Sequence, residues 1–414
     1  MNDFKIAHLS DLHAGYKSTR LHNAQDINLR EADGYIALGK LITDIIAHEV
    51  NAVVMSGDTF HIPTPDVRSI LFVQNQMRRL WTARIPVYIL AGNHDTNDIK
   101  ADIAASRLLH DPARKIYSHI EPYVNYEIGP NIYLHLISHH MYSEQAATMA
   151  TIKPVQDSIN ILATHGSVID PILKVKLHAE HSPREIVIPD YLLEDYAWDY
   201  AFLGHIHERG WVGSRDGKSD TAKSKIYYNG SLVRRGFSDK ECKLGRGWTL
   251  WNINSEGVFT ASPKTVPQRP QIDFPTIDAV GKTAGEVSEL IINHLKSTQV
   301  NGPEFDARVA PILRQRIKGI EPSKYSALDL KAINQNSSHA LQWAMQTIAV
   351  TDNDTTKKTV GDFQGLDSTD MVKLYDGWVE NSEKLSKTDE AIKKMVQDQA
   401  RTFVELGQEV TLND

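Results

Sequence analysis

Five times in this chain a short apolar run stops and metal-binding side chains follow at once. The runs are IAHLS before Asp11-Leu12-His13, AVVMS before Gly57-Asp58, VYILA before Gly92-Asn93-His94-Asp95, INILAT before His165-Gly166, and YAFL before Gly204-His205-Ile206-His207. Each is four to six residues rich in Val, Ile, Leu and Ala, the pattern of a buried strand. In a layered α/β fold the ends of neighbouring strands lie side by side and form the usual ligand crevice. Seven oxygen and nitrogen donors are expected at that rim, enough for two divalent cations.

The residue types at that rim define its chemistry. Asp11 and His13 are two apart at a strand end, so they project to the same side and can hold one cation between them. Asp58 follows the tight Gly57 turn, where a carboxylate can bridge two metals. Asn93 offers a neutral carbonyl oxygen, His165 a nitrogen, and His205 and His207 again differ by two. Imidazole, carboxylate and amide oxygen together suit manganese, iron or zinc, and the lack of a thiolate disfavours a structural zinc site. Two cations about 4 Å apart can bind a phosphodiester, lower the pKa of a water and stabilise the charge of the transition state. A proton donor for the leaving oxygen is then still needed. His94, next to a ligand but not required as one, is expected to donate that proton or touch the phosphate, and His61 to reach the phosphate. Each motif alone occurs by chance, and a lone histidine is more often structural; their joint order after strand-like runs is what carries the reading. His22, His48, His110, His119, His135, His139, His140, His178 and His181 lack that setting and are read as ordinary, and Cys242 as inert.

At 414 residues two or three folded units are expected. No apolar run approaches the roughly 18 residues a membrane span needs, and the N-terminus enters a strand too early for a signal peptide. One cysteine allows no intrachain disulfide, which fits a reducing, cytoplasmic setting. The net charge of −7 argues against coating nucleic acid by charge alone, yet residues 209–246 carry ten Lys and Arg against four Asp and Glu. A solvated loop explains that excess equally well.

Residues 1–262 alternate strands with helices, among them Arg30–His48 and Val67–Trp81, and turn strand-rich after Asn160. Four prolines from Pro263 to Pro275 mark a boundary. Beyond it, 263–350 reads as a βαβαβ unit: strand 271–277, helix 284–295, strand 307–317, helix 327–342, strand 344–350. Residues 351–369 read as a linker, and 370–407 as a helical segment whose Trp378 has to bury, by packing back on its own domain or, the reading favoured, by docking on a partner.

The ordered motifs resemble those of the calcineurin-like metallophosphoesterases. The resemblance implies a four-layer αββα sandwich, with Asp11, His13, Asp58 and His207 on one metal and Asp58, Asn93, His165 and His205 on the other. The stretch Gly57-Asp-Thr-Phe-His61-Ile-Pro-Thr-Pro65 and the segment Asn229-Gly-Ser-Leu-Val-Arg234 are similar to those of SbcD-type nuclease subunits of double-strand-break repair. The arginine pair and the Glu after Asn-His of protein serine/threonine phosphatases are missing. By that resemblance the chain is expected to be a manganese-dependent DNA nuclease, with 3′–5′ exonuclease and single-strand endonuclease activity. Residues 263–350 would be a DNA-capping domain, and the protein a homodimer working with an SbcC-like coiled-coil ATPase gripped by the C-terminal helices. Lys17, Arg20, Arg209, Arg234 and Arg235 are expected to contact DNA. The short linker and unusual tail suit a bacteriophage version acting in a bacterial cytoplasm. Competing readings are a small-molecule or cyclic-nucleotide phosphodiesterase, against which the extra domain counts, and a non-catalytic scaffold, against which the complete ligand set counts.

Overall fold

Alternation along the apolar runs sets the layers. In β1 (Phe4–Leu9) and β2 (Ala52–Ser56), Ile6, Ala52 and Val54 face one side, while Ala7, Leu9, Val53 and Met55 face the other; all are buried. A strand apolar on both faces must be covered on both. One face of the sheet is covered by α1 (Leu29–Ala47) and α2 (Val67–Thr82), through Leu38, Leu41, Ile42 and Ile45 from the first and Val73, Met77 and Leu80 from the second. Asn28 and Asp66 cap these helices by accepting the N–H groups of Arg30 and Ser69. The other face meets a second sheet, and Leu134, Ile161, Ala163, Phe202, Tyr227 and the fully buried Trp251 fill the space between them.

The computed structural model describes residues 3–96, 104–139, 152–168, 187–189, 192–193, 198–212, 225–237, 242–299 and 305–348. These belong to a single unit, Met1–Ala349. Expectations for the linker 351–369, the helical segment 370–407 and much of the basic stretch 209–246 fall outside the described residues.

The first sheet also holds β3 (Val87–Leu90), β4 (Ile116–His119), β11 (Gly247–Ile253) and β12 (Phe259–Thr265), in the order β12-β11-β1-β2-β3-β4. The second contains β5 (Tyr123–Gly129), β6 (Ile132–Ile137), β7 (Ile159–His165), β8 (Tyr200–Gly204), β9 (Gly210–Trp211) and β10 (Ile226–Tyr228), in the order β5-β6-β7-β8-β10-β9. β1, β2 and β3 run parallel, as do β7 and β8, so all five motif-bearing ends emerge at carboxyl ends of strands. The chain is thus an α/β sandwich. Beyond the second sheet, Ile188, Leu192 and Trp198 pack on Leu162, Ala201 and Leu203; the remainder of that outer layer lies outside the described residues. Among the described residues no helix is long and apolar enough to cross a membrane.

His8, inside the first apolar run, is fully buried between the sheets and stacks on Phe202 with ring centroids 4.8 Å apart. Ser56 Oγ donates to the Phe202 carbonyl at 3.1 Å, so His8 Nε2–H donates to Ser56 Oγ at 3.0 Å. Burial, aided by the charge of Arg209, pulls the His8 pKa down from 6.5 to about 3. The unfolded chain therefore takes up this proton first, so the neutral ring's stabilisation is complete above pH 6.5 and is lost as pH falls from 6.5 towards 3. The loss amounts to about 2 kcal/mol by about pH 5. Urea unfolding of wild type and His8→Gln is expected to show the wild-type advantage shrinking by about that amount between pH 7.5 and about pH 5. A difference that stays constant over this range rules the buried neutral histidine out as the cause.

Residues 271–348 form a third sheet. β13 (Gln271–Asp273) and β14 (Ile277–Asp278) pair in parallel with the same strand, β15 (Ile312–Lys318), and β16 (Gln342–Ile348) pairs in parallel on its other side. The expected strand at 271–277 is broken around Pro275, which has no N–H for the ladder. α3 (Ala284–Lys296) starts at a capping box of Thr283 and Glu286. The expected helix 327–342 is shorter: α4 (Pro322–Ser326) is a single turn and α5 spans only Leu330–Asn336. Asn336, Ser337 and Ser338 turn their side chains onto the carbonyls of Ala332, Asn334 and Gln335, which ends the helix early.

Candidate metal centre

At the ends of β1, β2 and β8 the backbone turns into the left-handed region. Asp11 (φ 52°), His13 (φ 46°), Asp58 (φ 54°) and His205 (φ 97°) all adopt it without being glycine. Such conformations cost of order 1–3 kcal/mol each and persist only where the surroundings impose them. Here Asp11 N donates to Gly57 O and His13 N to Asp58 O, both at 3.0 Å, so the loops after β1 and β2 run side by side. Gly57 (φ 87°) and Gly204 let the two sheets' loops meet. A Cβ on the first would lie 2.3 Å from His165 Nδ1, and one on the second 2.0 Å from Ser56 O.

The donors converge around Asp58. Its Oδ2 lies 3.5 Å from His13 Nε2 and 3.4 Å from His165 Nε2. On the first side, His13 Nε2 is 3.2 Å from His207 Nε2, and Asp11 Oδ1 lies 4.0 and 3.9 Å from those two nitrogens. On the second side, Asn93 Oδ1 is 3.0 Å from both His165 Nε2 and His205 Nδ1. The structure thus brings together all seven expected ligands. His165 Nδ1 donates to the Ser56 carbonyl at 2.9 Å, which turns its Nε2 inward, the orientation a ligating histidine requires. Lone pairs crowded this way fit a cation between them. Asp11, His13 and His207 form one group whose ligand atoms lie within 4.8 Å of one another, and Asp11, Asp58 and His165 form another.

Electrostatics agree with a cation-binding role. Burial pulls His13 and His207 well below the usual imidazole range, with the charge of Arg235 adding to it, so both are neutral and able to ligate. Burial opposes ionisation of Asp58, but the charge and hydrogen bond of His165 outweigh it and hold the carboxyl well below its usual range. Burial likewise works against a charged His165, yet the Asp58 carboxylate raises it to about 9, so without a cation Nε2 keeps a proton facing Asp58, and a bound cation would take that proton's place. Asp11 is pushed up to about 7, chiefly by burial and further by the Asp58 charge. A cation between these groups would relieve that penalty.

His94 and His61 stand at the edge of the cluster. His94 Nδ1 donates to the His61 carbonyl at 2.8 Å, and its backbone N–H donates to Asp58 Oδ1 at 2.9 Å. The two rings stack at 5.3 Å, and with His13 they form a third group of close nitrogens. Burial, with the charges of Arg235 and His94, lowers His61 to about 4.

Two supporting residues carry no role in the sequence reading. Asp95 is buried and accepts the N–H groups of Gly92 (2.9 Å), Phe60 (2.9 Å) and Thr59 (3.2 Å), tying the Asp58 loop to the Asn93 loop. It sits inside the Gly-Asn-His-Asp motif, so its position was a readable signal. Arg246, also buried, donates to the His207 carbonyl, and nothing local in the sequence marks it.

The basic residues separate. Arg235 lies at the centre, with Nη1 3.3 Å from His207 Nε2 and its guanidinium 4.8 Å from the Tyr16 ring. Arg20 is exposed, and Lys17 pairs with Asp66 at 3.1 Å and Glu31 at 3.5 Å. Arg209 directs its guanidinium to the carbonyls of Asn229 (3.0 Å) and Lys264 (3.3 Å), and Arg234 reaches those of Arg269 (3.3 Å) and Leu244 (3.4 Å).

Residues 4–209 match the family model described as calcineurin-like phosphoesterase. The chain is similar to DNA double-strand break repair proteins Mre11. It is 28% identical to that of Sulfurisphaera tokodaii over 50% of each chain. To that of Sulfolobus acidocaldarius it is 25% identical over 79% of this chain and 78% of the relative. To that of Methanosarcina mazei it is 32% identical over 71% of this chain and 43% of the relative. The chain spans 50% and 63% of the lengths of the Sulfurisphaera tokodaii and Methanocaldococcus jannaschii relatives. Motif order, sandwich and convergent donors lead to one assignment: residues 4–209 are a calcineurin-like phosphoesterase domain.

Proposed function

We propose that this protein is a metal-dependent DNA nuclease that hydrolyses phosphodiester bonds with two divalent cations. The observation that carries the reading is the placement of Asp58, with Asp11, His13 and His207 on one side and Asn93, His165 and His205 on the other, so that each side draws donors from both sheets. Asp11, His13, Asp58 and His207 would hold one cation, and Asp58, Asn93, His165 and His205 the other. Bound there, the cations supply a nucleophile at neutral pH and neutralise charge on the phosphoryl oxygens. The protein does the rest. Hydrogen bonds from Ser56 and Asp95 partners keep the ligand loops in place, so little reorganisation is needed at the moment of reaction. His94, its Nδ1 proton committed to the His61 carbonyl, is left with Nε2 to give a proton to the departing oxygen.

Similarity to proteins of double-strand break repair supports DNA as the substrate and repair, recombination or replication as the setting. The SbcD-like motifs support manganese as the cation, 3′–5′ exonuclease and single-strand endonuclease activity, and a cytoplasmic homodimer that works with an SbcC-like ATPase. Residues 263–350 would cap the DNA, and 370–407 would grip the partner.

The test is nucleotide release from linear duplex DNA. Activity is expected with manganese, little with magnesium, and none in chelator. Equal release under all three conditions, or release from small cyclic diesters but not DNA, rejects the proposal.

A further inference from the structure

The segment Ser231–Phe237 starts at the metal centre and ends against the third sheet. At its beginning Ser231 N donates to the His207 carbonyl at 3.1 Å and Leu232 N to the Asp11 carbonyl at 3.2 Å. At its end residues 234, 236 and 237 are tied to residues that follow the catalytic sandwich in the chain. Arg234 reaches the Arg269 carbonyl at 3.3 Å, and Arg269 itself is fixed by a two-point pair with Asp33 of α1 at 2.7 and 2.8 Å. Gln271 of β13, buried and uncharged, donates to the Gly236 carbonyl. Arg314 of β15 donates to the Phe237 carbonyl at 3.0 Å and covers the Phe237 ring at 4.6 Å, while Asp273 pins its guanidinium at 3.0 Å.

Between these two anchorages stands Arg235, stacked on Tyr16 and touching His207. A guanidinium there places a permanent positive charge and planar donors beside a cluster made of carboxylates and imidazoles, where a phosphodiester has to enter. On its C-terminal side the carbonyls of Gly236 and Phe237 are held by the third sheet, while on its other side the Arg234 carbonyl accepts from Arg30 of α1, so a displacement of the third sheet pulls on Arg235 from one side.

We propose that the third sheet sets the position of Arg235 as a phosphate-binding residue, with Gln271 and Arg314 as positioning residues acting through the backbone of residues 234–237. The proposal builds on the nuclease reading and adds a route by which the region outside the catalytic sandwich controls substrate engagement.

The test is a double-mutant cycle on binding, made with the full chain in chelator at low salt. The probe is a short fluorescent single-stranded oligonucleotide, read by anisotropy. Arg235→Gln is expected to weaken binding about tenfold, the worth of one charge-assisted contact. Gln271→Ala, at a buried neutral site that cannot meet DNA itself, is expected to weaken it about threefold alone and not at all in the Arg235→Gln background. Arg314→Ala should repeat that pattern and Arg314→Lys should restore most of the loss, which keeps the question answerable if melting shows that Gln271→Ala does not fold. Losses that multiply with that of Arg235→Gln overturn the coupling, as do Gln271→Ala and Arg314→Ala variants that bind like wild type. A wild-type protein that does not bind the oligonucleotide also overturns it. Lack of DNA hydrolysis by the manganese-loaded wild type rejects the nuclease reading separately, and leaves this cycle to decide the coupling.

Discussion

Asp58→Asn is expected to lower DNA hydrolysis at least about a thousandfold, equivalent to about 4 kcal/mol of lost transition-state stabilisation. The substitution isolates charge from shape. Asparagine tolerates the left-handed backbone that Asp58 adopts, so the φ of 54° imposes no new strain. Its carbonyl oxygen can still accept the N–H of His94, which Asp58 Oδ1 does at 2.9 Å. What disappears is the anionic oxygen that lies 3.5 Å from His13 and 3.4 Å from His165, between the two halves of the cluster. Two cations would then face each other without a bridge, and mutual repulsion would expel at least one. Metal analysis of the folded variant should therefore show at most one cation per chain where the wild type is expected to hold two. A variant that keeps both cations and more than about a tenth of the wild-type rate would remove Asp58 from the centre of the mechanism.

The sequence exposed this centre clearly because strand ends are a one-dimensional signal. A short run apolar on both faces that stops at Asp, His, Gly-Asp, Gly-Asn or Gly-His places its next side chain at a strand end, on the rim. The convergence of the seven expected ligands was legible for that reason, and helices α1 and α2 were legible from their spacing to within a residue at each end. What stayed hidden depends on three-dimensional closure. Asp95 binds N–H groups of a loop more than thirty residues earlier in the chain, and Arg246 braces His207 from far along it. His8 looked like one polar residue in an apolar run; only the second sheet, with Phe202 and Ser56, makes it a buried neutral ring. Arg209 carried a charge that suggested a DNA contact, yet its guanidinium lies among the carbonyls of Asn229 and Lys264. The overlong helix at 327–342 has a local cause instead: serine and asparagine side chains competed with the backbone, and apolar spacing does not register that.

His94→Gln should separate proton transfer from metal binding. His94 is not among the seven proposed ligands, and its Nδ1 is engaged with the His61 carbonyl, so the variant is expected to bind the same cations as wild type and DNA with nearly unchanged affinity. Without a group that releases a proton at Nε2, kcat for DNA should fall about 10²–10⁴-fold while KM changes little. The substrate provides an internal control. A deoxyribose alkoxide is a poor leaving group that must be protonated as it departs, whereas a nitrophenolate leaves without help. Loss of proton donation should therefore be severe on DNA and slight on bis(p-nitrophenyl) phosphate under the same conditions. Equal losses on both substrates would assign His94 to holding the phosphate, since that contact is needed whatever group departs. Full activity on DNA would leave His94 without a chemical role, and the proton would have to come from His61, whose ring stacks on it 5.3 Å away.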